Sequence, residues 1–183
     1  MHFVPLKNTP TMQRSLLPTV MAMPPLRFPI DKIVSGGQTG ADRAALDWAI
    51  DSGVSHGGWC PIGRRAEDGT IDPKYQLTET DSRGYWHRTR LNVRDSDGTL
   101  ILTLGQVEGG TLQTLQYARQ LLKPRLVVSL DGGVTDRVIE TIEAWLRLSA
   151  IRTLNVAGPR ESERPGIHRL TYSLLCRLLL QQE

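Results

Sequence analysis

The sequence predicts an α/β fold: a doubly wound, mostly parallel five-stranded sheet with helices on both faces, a three-layer αβα sandwich. Three observations predict it. Short apolar runs alternate with amphipathic stretches, the pattern of strands joined by crossover helices. Residues 99–104, Thr-Leu-Ile-Leu-Thr-Leu, are continuously strand-like, as a strand covered on both faces must be. The segments that follow the first, third and fifth apolar runs, 36–42, 105–111 and 157–162, all carry glycine and polar residues. That is the composition expected where a ligand meets the carboxyl ends of strands at a topological switch point.

In chain order, residues 1–29 hold Pro5, Pro10, Pro18, Pro24, Pro25, Pro29 and all four methionines, without periodicity. They read as a disordered extension, or as a start placed too early, with Met21 or Met23 as the alternative. The prolines spoil an amphipathic transit helix, and Pro18 interrupts the one candidate signal run. A single ligand-binding domain is expected over 31–183, with 1–30 outside it. Residues 32–35 form the first strand, and 41–52 a helix with Ala44, Ala45, Trp48 and Ala49 on one face. A second strand is expected over 56–60. Residues 61–84 are polar and aperiodic, a length of loop that usually marks function. A helix follows over 85–94, ending near Asp95-Ser96-Asp97-Gly98, and then the strand 99–104. The helix 111–122 is stopped by Lys123-Pro124. Strand 125–130, helix 134–148, strand 152–156 and a closing helix 167–180 complete the chain.

Composition narrows the function. The 183 residues are 39% hydrophobic, with a mean hydropathy of −0.26, and no run approaches the ~20 apolar residues of a membrane span. The net charge of +3 comes from Lys7, Arg14 and Arg27 in the first 30 residues, which contain no acid. The remainder is balanced, whereas a nucleic-acid binder carries its basic excess on a folded face. Cys60 and Cys176 have no metal-ligand spacing and read as reduced thiols of a cytoplasmic protein. Neither membrane nor nucleic acid is an expected partner.

The richest chemistry lies in 32–46. An apolar strand ends in Ser35-Gly36-Gly37-Gln38-Thr39-Gly40, and the helix beginning Ala41-Asp42 starts at once. Glycine lets backbone N–H groups approach a ligand, and the helix dipole favours an anion there. Thr39 adds a hydroxyl beside those groups. Asp42 either caps the helix or bonds the ligand. Gly109, Gly110 and Thr111 open another helix, where a second anion contact is expected. Arg88, Asn92 and Asp95 share a helical face, as a structural network or as ligand contacts. Trp48 and Trp59 read as core, and His56, His87 and His168 show no metal spacing. Asn155, Arg160 and Glu161 follow the fifth strand, where they reach a ligand or seal a subunit interface.

Several motifs together resemble one family. They are the 35–42 run; Gly58-Trp59-Cys60-Pro61 with Arg64 and Ala66-Glu67-Asp68-Gly69; and Tyr75 with Leu77-Thr78-Glu79-Thr80. Arg88-Thr89, Asn92-Val93, Asp95-Ser96-Asp97-Gly98-Thr99, Gly109-Gly110-Thr111 and the run 154–162 complete them. From about residue 31 to the C-terminus the chain resembles the putative molybdenum carrier proteins. The resemblance implies a Rossmann-like domain of the wider group that includes lysine decarboxylase-like proteins and DNA-processing protein A. It also implies a homo-oligomer, dimer or tetramer, that holds the molybdenum cofactor, a pterin with a phosphate tail, until a molybdoenzyme apoprotein takes it.

The binding residues so implied include Gly36, Gly37, Gln38, Thr39, Gly40 and Asp42, with Arg64 and Glu67 from the long loop. Arg88, Asn92, Gly109, Gly110, Thr111, Asn155 and Arg160 complete the set. Related phosphoribohydrolases, which act on nucleoside monophosphates, carry a catalytic Glu where this chain has Thr114. That substitution favours a carrier with no catalytic residues over an enzyme, although Glu67, Asp68 or Glu79 could stand in. A nucleotide-processing enzyme or a nucleotide sensor is the alternative.

Overall fold

Five of the apolar runs meet as one all-parallel sheet in the computed structural model, which describes residues 28–179. The strands are β1 (Lys32–Val34), β2 (Ser55–Gly57), β7 (Gly98–Thr103), β8 (Arg125–Ser129) and β9 (Thr153–Ala157). Between β2 and β7 lie four two-residue strands: β3 (Trp59–Cys60), β4 (Arg65–Ala66), β5 (Gly69–Thr70) and β6 (Thr78–Glu79). The helices are α1 (Ala41–Asp51), α2 (Tyr85–Arg94), α3 (Gly109–Gln120), α4 (Asp136–Ser149) and α5 (Ile167–Leu179).

Across the sheet the order is β2-β1-β9-β7-β8. The last strand lies at the centre, pairing Leu154 with Ile33 on one side and Asn155 with Thr99 on the other. Counted from β9 instead, the same order reads 3-2-1-4-5, the arrangement of doubly wound dinucleotide-binding sheets. This is that arrangement with its first β–α unit moved to the C-terminus.

Side chains alternate across the sheet, because successive Cβ atoms point to opposite faces. Ile33, Leu100, Leu102, Leu154 and Val156 join the main core with Trp48 of α1, Ile142 of α4 and Leu174 of α5. Helices α2 and α3 pack on each other, and α3 also lies against β7 and β8. Trp48 is the largest fully buried side chain, as its place on the apolar face of α1 predicts. The core reaches upstream of the expected domain start: Phe28 and Ile30 are buried in it. Residues 1–27, and with them the alternative starts at Met21 and Met23, lie outside the described residues.

Two expectations are corrected. Residues 56–60 are not one strand. At Gly58, whose φ is +130°, the backbone turns so close to Ser35 that a Cβ would lie 2.2 Å from its carbonyl oxygen. The chain leaves the main sheet there, and β3 pairs with β6. Nor is 61–84 a featureless loop. It holds the β4–β5 hairpin and β6, and it folds Ile71, Tyr75 and Leu77 against Leu46 and Cys60 as a second core. The remaining boundaries differ by a residue or two from the expected ones, α3 for instance beginning at Gly109.

Candidate functional site

Because β1, β9 and β7 are neighbours, the loops that follow them meet at the carboxyl end of the sheet. Between those loops and the α2–α3 pair runs a narrow polar cleft of about 470 Å³, part of it open to solvent. Gln38 comes from the β1–α1 turn and Asp42 from the first turn of α1, while Ala157 ends β9 and Gly158, Arg160 and Glu163 follow it. Tyr85, Arg88 and Thr89 line it from α2, and Gly110, Thr111, Gln113 and Thr114 from α3.

At its centre, Arg88 Nη1 donates to Asp42 Oδ2 at 2.9 Å. Both side chains are withdrawn from water, at 14% and 4% exposure. Burial pushes the Asp42 carboxyl above its ordinary range, and the charge and hydrogen bond of Arg88 act against that rise. Gly36 is what admits the guanidinium: a Cβ there would lie 1.6 Å from Arg88 Nη1. This glycine is therefore matched to a side chain of the protein itself.

Gln38 and Thr39 knit the loops together. Gln38 Oε1 accepts from the backbone N–H groups of Thr39 and Glu67, at 3.0 and 2.9 Å. Thr39 Oγ1 donates to Glu67 and accepts from the Glu161 N–H. Ser162 donates to the Glu67 carboxylate through both its hydroxyl and its N–H. Burial raises the Glu67 pKa, but the bonds from Ser162 and Thr39 and the charge of Arg160 outweigh it, and the net shift is downward. One carboxylate thus latches three segments around the rim.

The start of α3 forms the opposite wall. A helix leaves its first N–H groups without intrahelical partners. Here no side chain caps them, and the first turn carries no acidic residue. A Cβ on Gly110 would meet nothing within 4 Å, so this glycine faces open space. Thr114 Oγ1 donates back to the Gly110 carbonyl within the helix. At the mouth, the Arg160 guanidinium lies 5.1 Å from the centre of the Tyr85 ring.

Of the residues expected at the site, Gln38, Asp42, Arg88, Gly110, Thr111 and Arg160 line this cleft. Thr39 and Gly40 line a neighbouring pocket instead. Gly40 has φ +76°, and a Cβ on it would stand 2.4 Å from the Pro159 carbonyl oxygen, so it admits the loop after β9. Gly37 packs under Leu77 and Ile71, and its carbonyl accepts from Arg43. Gly109, with φ +53°, starts α3 without lining the cleft.

Arg64 is turned away. Its guanidinium donates to the carbonyls of Ile71, Asp72, Tyr75 and Leu77, which ties the 61–84 segment together. Asn92 bonds both the N–H and the carbonyl of Trp59, securing the chain where it leaves the sheet. Asp95 accepts from Trp59 Nε1 and from Arg94, apart from Arg88. Asn155 donates to Thr99 Oγ1 inside the sheet.

The cleft also holds residues that sequence reasoning missed, chiefly Tyr85, Gln113 and Glu163. Helical spacing was the available signal. Positions 85, 88 and 89 share one face of α2, and 110, 113 and 114 one face of α3, so Arg88 and Gly110 mark their neighbours.

A model of the circularly permutated YpsA SLOG family matches residues 33–179. The crystal structure of a putative molybdenum carrier protein from Syntrophus aciditrophicus SB is similar, with 45% sequence identity and a TM-score of 0.80. The match covers 82% of this chain and 95% of that one. No curated protein matches the chain. The central β9 puts the first unit of a doubly wound sheet last in the sequence, an order in keeping with a circular permutation, and the chain belongs to the circularly permutated YpsA SLOG family.

Proposed function

We propose that this chain is a molybdenum cofactor carrier: the cleft between the strand ends and the α2–α3 pair binds an anionic pterin phosphate for storage and transfer. One observation carries the reading. Arg88 Nε and Gln38 Nε2 are buried without hydrogen-bond partners, and both residues line the cleft. An unmet buried donor costs about 1–3 kcal/mol, which a ligand bearing acceptors relieves. Those donors and Thr111 suit the nitrogen and oxygen acceptors of a pterin. The open first turn of α3 and Arg160 suit its phosphate. Among the described residues, no group of three or more His, Cys, Asp or Glu side chains is placed to hold a metal ion.

Anaerobic calorimetric titration with molybdenum cofactor, in parallel with AMP, tests the proposal. Gly110→Leu is the informative variant, because its side chain enters open cleft space and fits a helix. Saturable cofactor binding weakened at least about tenfold in that variant, the loss of one or two hydrogen bonds to charged groups, supports the reading. Absence of cofactor binding to the unaltered protein overturns it.

Glu163 favours one second reading, hydrolysis of a nucleoside monophosphate, because it places a carboxylate in the cleft wall. The expected substitutes for the missing Glu lie elsewhere: Glu67 in the rim latch, Asp68 on Arg43, and Glu79 on the Gly63 N–H. Free base released from AMP, and abolished by Glu163→Gln, would establish that reading in place of the carrier. The carrier reading further includes homo-oligomerisation as a dimer or tetramer, delivery to molybdoenzyme apoproteins and a cytoplasmic location. Light scattering tests the first of these. Among the described residues, no helix is long and apolar enough to cross a membrane.

A further inference from the structure

The loops after β1 and β9 form a partition, and a second pocket lies on its far side, between α1 and α5. It shares no lining residue with the cleft and is wider, about 810 Å³ with its open part included. Arg43 and Asp47 reach it from α1, His168 and Arg169 from α5, and Tyr75 from the second core.

The acceptors of this pocket are already engaged. Asp47 accepts from the Tyr75 hydroxyl at 2.6 Å and from Lys74 Nζ at 3.3 Å, and its other oxygen lies 3.0 Å from His168 Nε2. Burial pushes the Asp47 pKa up, but these hydrogen bonds outweigh it and hold the group below its ordinary value, as a carboxylate. Glu161 accepts from the N–H groups of Gly166 and His168, at 2.6 and 3.0 Å.

The donors are different. Among the described residues, the Arg169 side chain has no hydrogen-bond or ion-pair partner, and Arg169 lines the pocket. His168 Nε2 lies 3.0 Å from Asp47 Oδ2, which orients the ring, and among the described residues Nδ1 has no hydrogen-bond partner; it is a donor in the imidazolium form of the ring. Arg43, by contrast, is taken up by Asp68 and the Gly37 carbonyl. A concave site whose carboxylates are already bonded, and whose Arg169 cation has no partner among the described residues, is complementary to an anion rich in acceptor oxygens. A guanidinium suits phosphate in particular, because it presents paired N–H groups to two oxygens.

We propose that this pocket is a second binding site, for the phosphate group of a small molecule, held by Arg169 and by His168 as oriented by Asp47. The site stands independently of the cleft and of what the cleft carries.

The imidazole NMR signals of the full chain report on it directly, with His168→Gln assigning the resonance and inorganic phosphate as the probe. A parallel arm with AMP separates free phosphate from a phosphate carried on a nucleoside. The expected result is a saturable movement of the His168 signal while those of His56 and His87 stay fixed. Arg169→Ala, a change at an exposed position, is expected to weaken the interaction about tenfold. Gly110→Leu, which fills the cleft, is expected to leave it unchanged. A His168 signal that does not move, that moves equally in Arg169→Ala, or that stops moving in Gly110→Leu overturns the proposal, the last by assigning the phosphate to the cleft.

Discussion

Two glycine pairs in this molecule look alike in the sequence and do opposite things. Gly36-Gly37 and Gly109-Gly110 each follow an apolar strand and lead into a helix. A Cβ on Gly36 would collide with the Arg88 guanidinium, and one on Gly37 would lie 2.5 Å from Leu77 Cδ1. A Cβ on Gly109 or Gly110 would meet nothing within 4 Å. The first pair makes room for the protein, and the second leaves room for something else. A glycine-rich turn is therefore evidence of close approach, and only the neighbours show whether side chain or ligand does the approaching.

Substitutions separate the two pairs by sign and size. Gly36→Ala should be the most damaging, because it expels Arg88 from Asp42 and leaves a buried carboxylate unpaired. The expected loss is about 3–5 kcal/mol of unfolding free energy, read from a denaturant titration. An unchanged midpoint would mean that Arg88 swings aside at little cost and that the pair is not what Gly36 protects.

Arg64→Met comes next, at about 2–3 kcal/mol, since four carbonyls lose a charged donor and the side chain is only partly buried. Its loss should fall on the 61–84 segment first, seen as faster amide exchange there than in the main sheet. Equal acceleration in both regions would remove the distinction between the two cores.

The two carboxylates near the cleft are expected to titrate in opposite senses. Glu67, held low by its hydrogen bonds, contributes stability above its unfolded value of 4.5 that is lost as pH falls through its folded value. Asp42, raised by burial, binds its proton more tightly when folded, and stability is lost from its side as pH climbs above 3.8. Thermal melts of Glu67→Gln should therefore show a shallower decline below pH 4.5 than the unaltered chain. A parallel decline would show that the rim latch does not form in solution.

The smallest effect on stability is expected for Gly110→Ala, which gains up to about 1 kcal/mol from helix propensity. If ligand affinity falls while stability rises, the second glycine pair is confirmed as open for a ligand. If both rise or both fall, it is structural like the first.

Much of this fold can be read in the sequence, because its signals are local. The 99–104 run announces a central strand, and the glycine-bearing segments announce which end of the sheet matters. Residues 61–84 were illegible for a physical reason. Their core contacts come from single residues, Ile71, Tyr75 and Leu77, without period, and their backbone is tied by one arginine to four carbonyls. The lining of the cleft is legible in part. Gln38, Asp42, Arg88, Gly110, Thr111 and Arg160 line it as expected, but the pairing of Arg88 with Asp42 spans 46 residues and leaves no mark on either segment alone. Asn92 and Asn155 bond Trp59 and Thr99, and a polar side chain that lines a cleft and one that braces a strand are the same letter in the sequence.

The placement of β9 has a consequence for how the molecule comes into being. As a ribosome releases this chain, β1 and β7 emerge long before the strand that must lie between them, and the Ser35 hydroxyl waits 121 residues for its acceptor on Val156. Until then the sheet exists as two separate halves with bare inner edges, and no cleft joins them. A nascent or truncated chain lacking the last 30 or so residues therefore has neither the central strand nor the cleft wall that follows it. Completion of the sheet and formation of the cleft are a single late event of synthesis.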